Sequence, residues 1–127
     1  MIPTNKQIEK NKIISAFRKY TRLGLADERL SPFDAYDRIK GVCSNIETAN
    51  DLLCVYDTVR YLKLMGKSEV LSAIRAVYFE SLRRKPKKNE ISLRVARFAM
   101  DMHYDERTVY RQLEYARKIY KALRDKI

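Results

Sequence analysis

The stretch Leu93–Lys118, LRVARFAMDMHYDERTVYRQLEYARK, constrains this chain more than any other. Its apolar residues recur at helical spacing in two registers. Phe98, Ala99 and Met102 make an i, i+1, i+4 face on a first helix, and Val109, Leu113 and Ala116 make an i, i+4, i+7 face on a second. Between them His103-Tyr104-Asp105 reads as a tight corner. Asp105 is placed as N-cap of the second helix, its carboxylate accepting from the backbone N–H of Arg107 or Thr108. Ala99 lies ten residues before Val109, an offset at which two crossed helices need one small residue for their backbones to approach. The pattern is that of a helix-turn-helix, whose second helix can enter a DNA major groove. The plainer reading is an ordinary helical hairpin.

Phe98-Ala99, Met102, Tyr104-Asp105, Thr108-Val109, Leu113 and Ala116-Arg117-Lys118 together resemble the promoter-reading helix-turn-helix of sigma-factor region 4. More closely, they resemble that of small phage and prophage transcriptional regulators of the ArpU/RinA type. The likeness continues loosely back through Ala73–Phe79, where a helix leads into the motif. It implies an all-α regulator that binds near a promoter and activates late or structural genes. Two positions depart from the pattern. His103 stands where the turn usually has Gly, so it has to adopt positive φ at some cost or alter the corner. Gln112 stands where such motifs carry an apolar residue, so the core is expected to fall to Leu113.

With only three Gly, three Pro and no Trp, and with helical periodicity almost throughout, the chain reads as all-α. Five to six helices are expected, with a C-terminal helix-turn-helix and a long last helix. The net charge of +11 suits a polyanionic partner, although it says nothing of fold. Residues 67–127 hold 16 Lys/Arg against 8 Asp/Glu, and residues 1–66 hold 11 against 8. The excess thus falls in the half that carries the motif, as a nucleic-acid footprint should. We divide the chain accordingly into 1–66, a helical part for support or oligomerisation, and 67–127, a DNA-binding part. Cys43 and Cys54 have no metal-like spacing and read as buried free thiols in a reducing cytoplasm, a disulfide or zinc site being the alternative. The polar Met1–Asn11 does not read as a signal peptide, and no apolar run approaches membrane-spanning length. A soluble cytoplasmic protein of a bacterial host, with no membrane partner, is expected.

Taken in order, a first helix is predicted over Thr4–Arg22, with Ile8, Ile14 and Phe17 as its stripe and Gly24 as its stop. Its Lys6, Lys10, Lys12, Arg18, Lys19 and Arg22 form a basic surface, either solvated or in reach of phosphate. Ser31 as N-cap and Pro32 at the first helical position start a second helix, with Phe33, Tyr36 and Ile39 on one side. Gly41 weakens it. A third helix starts between Glu47 and Asn50 and runs to Met65, with Leu52, Val55, Tyr56, Val59 and Leu62 recurring and Gly66 terminating it. Ser68 is expected to cap a fourth, with Leu71, Ile74, Val77, Tyr78 and Leu82 inward. Pro86 makes Arg83–Asn89 a loop or hinge. Its Arg84, Lys85, Lys87 and Lys88 are phosphate candidates that would raise DNA affinity by counterion release, or else belong to a solvated linker. Asn89 or Ser92 caps the first motif helix. The last helix, without Gly or Pro after Asp105, can run some twenty residues, roughly 30 Å at the usual rise. Ile119, Leu123 and Ile127 on its later turns need cover from the N-terminal half or a second subunit.

Side chains at the start of a recognition helix reach base edges, and its flanks reach phosphate. Glu106, Arg107, Tyr110 and Arg111 are the base-reading candidates, with Arg able to hold guanine bidentately. Glu106 equally suits the helix dipole. Tyr110 is equally a core candidate. Arg94, Arg97, Thr108, Arg117 and Lys118 join the phosphate candidates, although Thr108 also suits a helix start and Arg117 and Lys118 a solvated face. His103, the one histidine, is read as structural. With no Gly-rich phosphate loop, paired carboxylates or nucleophile elbow, neither enzyme activity nor a cofactor is expected. The expected partner is double-stranded DNA, with RNA polymerase and a homodimer as further candidates. The competing readings are a small terminase-like DNA-packaging factor that assembles into a ring, and a protein-interaction module that contacts RNA polymerase without reading DNA.

Overall fold

Side chains and glycines at the helix ends account for most of the element boundaries. A computed structural model describes residues 2–27, 29–43, 45–79 and 89–127. Among them are six α-helices and no strand: α1 (Asn5–Arg22), α2 (Pro32–Val42), α3 (Ile46–Leu64), α4 (Ser68–Ile74), α5 (Glu90–Met102) and α6 (Glu106–Asp125). A π-helical turn, Arg75–Phe79, continues α4. The sequence expectations for Leu82, Arg84, Lys85, Lys87 and Lys88 lie outside the described residues.

Thr4 and Gln7 form a reciprocal capping box at the start of α1. Ser31 accepts from the Asp34 N–H, with Pro32 at the first helical position. Asn45 accepts from the Thr48 N–H and starts α3 a residue before the expected span. The sequence placed a serine cap on α4. In fact Ser68 is its first helical residue, and Lys67 before it supplies no side-chain cap. Two glycines close α1 and α3. Gly24 and Gly66 have φ of +72° and +69°, and the residue after each donates back to a carbonyl five residues earlier, Leu25 to Tyr20 and Lys67 to Leu62.

Phe17 is fully buried at the centre of the core. Its ring lies 5.5 Å from that of Tyr78, 6.0 Å from Phe79 and 5.8 Å from Tyr120. Residues from all six helices and the π turn share this core, so both sides of Gly66 contribute to it. The π turn widens the backbone locally and brings three successive side chains, Val77, Tyr78 and Phe79, into the interior. Arg94 from α5 donates to the Val77 carbonyl of this turn at 3.1 Å.

Several expected core residues are instead exposed. Phe33 is 82% exposed and Tyr36 42%, while Ala35 and Ile39 carry the inner face of α2. Ile8 stands clear of the core, and Ile13, Ile14, Ala16 and Phe17 form the packed side of α1. At this end α1 meets α6 through polar and charged side chains, and Ile8 stays 43% exposed. Cys54 is buried and Cys43 half-buried, both as free thiols. No described helix is long and apolar enough to cross a membrane.

Candidate nucleic-acid interface

The corner between α5 and α6 is built from three local devices. His103 has φ +58°, ψ +37°, the left-handed conformation that the missing glycine would have supplied. The Tyr104 N–H donates to the Ala99 carbonyl at 2.8 Å and the His103 N–H to Met100 at 3.3 Å, the same closing bonds as at Gly24 and Gly66. The apolar contact that accompanies such an ending is here aromatic: Tyr104 meets Phe98 edge to face at 6.3 Å. Asp105 then caps α6, accepting from the Arg107 N–H at 3.2 Å. His103 thus keeps the corner at a conformational cost and does not change its shape.

Val109, Leu113 and Ala116 are buried, and α6 packs on α5 through them, with Phe98 and Ala99 on the other side. The third residue assigned to that face, Met102, is 42% exposed. It lies in the last turn of α5, where the chain already bends away, and Val95 two turns earlier extends the buried face with Phe98 and Ala99. Gln112 is half-buried and Leu113 fills the interior, as expected.

Glu106, Arg107, Tyr110 and Arg111 all face solvent on the first two turns of α6. Tyr110 is 41% exposed and is not a core residue. At about 100° per residue, Arg107, Arg111, Glu114 and Lys118 fall within one narrow stripe of the helix. Lys118 is exposed and lies 3.6 Å from Glu114. Thr108 is half-buried, and Arg97 projects from α5 into solvent.

Two of the phosphate candidates have partners inside the protein. Arg94 turns inward, pairing with Glu90 at 3.0 Å as well as with the Val77 carbonyl, and only 12% of its side chain is exposed. Its assignment to phosphate is corrected: the guanidinium is held between Glu90 and the Val77 carbonyl. Arg117 is half-buried and donates from one terminal nitrogen to the Tyr78 hydroxyl at 2.9 Å. Burial raises the Tyr78 phenol above its ordinary pKa, with the Arg117 charge opposing that rise.

The middle of α6 also faces α1. Lys121 pairs with Glu9 at 2.9 Å, and a groove between the two helices is lined by Lys6, Lys10, Arg117 and Lys118 among others. Burial depresses the Lys10 pKa, and the nearby Arg117 charge depresses it further, while Glu114 acts in the opposite sense. The sequence marked Lys6 and Lys10 as part of a basic face of α1. That this face borders α6 follows from contacts more than a hundred residues apart, for which the sequence carries no local signal. Among the described residues no group of His, Cys, Asp and Glu is placed to hold a metal ion. No family model matches this chain, and neither the curated proteins nor the solved structures include a match to it.

Proposed function

We propose that this chain is a sequence-specific, double-stranded-DNA-binding regulator of transcription, reading the major groove with the first two turns of α6. The observation that carries the reading is the division of those turns. Glu106, Arg107, Tyr110 and Arg111 stand in solvent while Val109 and Leu113 behind them are buried. Arg107 and Arg111 have no carboxylate within ion-pair distance among the described residues, so their guanidinium groups are available for guanine O6 and N7. Glu106 offers an acceptor for cytosine N4. Arg97, Thr108, Lys118 and the remaining donors of Arg117 serve phosphate and set the register.

The helix-turn-helix of α5 and α6, with its likeness to sigma-factor region 4 and to ArpU/RinA-type regulators, supports a role as a phage or prophage late-gene activator. Such motifs commonly act as dimers on half-sites one helical turn apart. Selection of bound sites from a random DNA pool tests the reading, with one enriched sequence as the expected result. Arg111→Ala should then cost about 1–3 kcal/mol on that site and far less on random DNA. Equal losses on both would remove Arg111 from base reading, and a pool without enrichment would remove the function.

A second reading, a module that contacts RNA polymerase, draws on the outer side of α5. Leu93 is 69% exposed there and Met100 77%. A mobility-shift titration against competitor DNA separates the two, because only the first binds DNA in the absence of polymerase.

A further inference from the structure

The basic face of α1 was left unassigned by the reading of α6, and its position in the fold gives it a use. We infer that the groove between α1 and the middle of α6 holds the DNA phosphate backbone beside the major groove, with Lys6 and Lys10 as two additional phosphate contacts. The inference rests on α6 being the recognition helix.

Three observations lead to it. The first is location. Lys118 lies seven residues beyond Arg111, about 10 Å along the helix axis, and on the same stripe. A helix that enters a major groove about 12 Å wide by its N-terminus carries its later turns past the groove's edge, where the phosphate ridge runs. The α1 groove opens at that point of α6, with Glu114, Arg117 and Lys118 on its wall.

The second is charge. Lys6, Lys10, Arg117, Lys118 and Lys121 line the groove, against Glu9 and Glu114. Both carboxylates are already engaged, Glu9 with Lys121 and Glu114 with Lys118. Lys6 and Lys10 have no such partner among the described residues. The third is the closeness of like charges. Lys10 is disfavoured as a cation by burial and then by the nearby Arg117 charge, and a bound anion in the groove would relieve this. The Glu9–Lys121 pair and the burial of Ile13 and Ile14 fix α1 beside α6, so the two lysines are presented by a packed helix.

The test is the salt dependence of DNA binding by the full chain and by the double variant Lys6→Gln/Lys10→Gln, on the selected site and on random DNA. Two lost phosphate contacts reduce the slope of log K against log salt by about 1.8. The wild-type advantage should therefore shrink roughly tenfold between 50 and 200 mM salt. The preference for the selected site should stay unchanged, because neither lysine reaches a base. Both residues are exposed, so the thermal melt of the variant should overlay that of the wild type. An unchanged slope in a variant whose parent still selects its site overturns the groove alone. A wild type with no preferred site overturns the reading of α6 with it. Loss of binding to anionic lipid vesicles, with DNA slopes equal, would assign the groove to a membrane surface and also overturn the inference.

Discussion

The first two turns of α6 and its last three share one amphipathic pattern but have opposite surroundings. From Glu106 to Leu113 the helix is covered on one side only, and its charged residues point into solvent. From Ala116 onward α1 and α3 close around it. Tyr120 is 5% exposed against Phe17, its hydroxyl is 3.4 Å from Asp51, and Arg124 donates to the same Asp51 carboxylate at 2.8 Å. Lys121 is paired with Glu9. Lys121 and Arg124 at this end have carboxylate partners within the chain, whereas Arg107 and Arg111 have none among the described residues. The difference teaches that periodicity sets which side of a helix is apolar, while distant segments set how much of the helix remains for a partner.

The sharpest way to break this comparison is to truncate one tyrosine from each end. Tyr120→Ala should destabilise the fold by about 3–5 kcal/mol, the range for deleting a large buried aromatic side chain. Tyr110→Ala should stay within about 0.5 kcal/mol, as surface changes usually do. Chemical denaturation of both variants gives the two values, and similar losses would show that the two ends are equally structural.

A smaller effect separates the helix endings. Gly66→Ala adds a Cβ that meets nothing within 4 Å, so its expected cost, about 1 kcal/mol, is purely the left-handed backbone at φ +69°. His103→Gly relieves the same strain at the corner but frees the unfolded chain, for a net gain of about 0.5 kcal/mol. Loss of stability in His103→Gly would mean that the imidazole makes a contribution beyond its backbone conformation.

The last distinction is one of pH. Cys54 lies in α3 near Arg124 and Tyr120, and burial pushes its thiol from 9.0 up to about 11. Burial also raises the Tyr20 and Tyr120 phenols. A raised folded-state pKa contributes stability that is present below the unfolded value and is lost as pH climbs through the folded one. Unfolding free energy should therefore fall between about pH 9 and 11, and less steeply in Cys54→Val. The same slope in both proteins would place the alkaline sensitivity elsewhere.

Much of the fold could be read before any coordinates. The starts of α1 and α2, the glycine stops of α1 and α3, the cap at Asp105 and the length of α6 all follow from residues within one or two helical turns, and positive φ was one of two outcomes open to His103. The exposed set Glu106, Arg107, Tyr110 and Arg111 was legible too, as the side of α6 opposite Val109 and Leu113, although only its exposure in the fold removed Tyr110 from the core candidates. Less legible was which apolar residues the core would accept. Phe33, Tyr36, Ile8 and Met102 keep helical spacing with buried neighbours, yet the packing of the helices leaves each of them exposed.

Capping, left-handed endings and apolar stripes act over a few bonds, so the order of the residues is sufficient to specify them. The inward turn of Arg94 to Val77, the covering of Tyr120 by Phe17 and the approach of Lys10 to Arg117 depend on segments far apart in the chain. Those meetings are decided when the helices pack, because burial and charge pairing are properties of what surrounds a side chain.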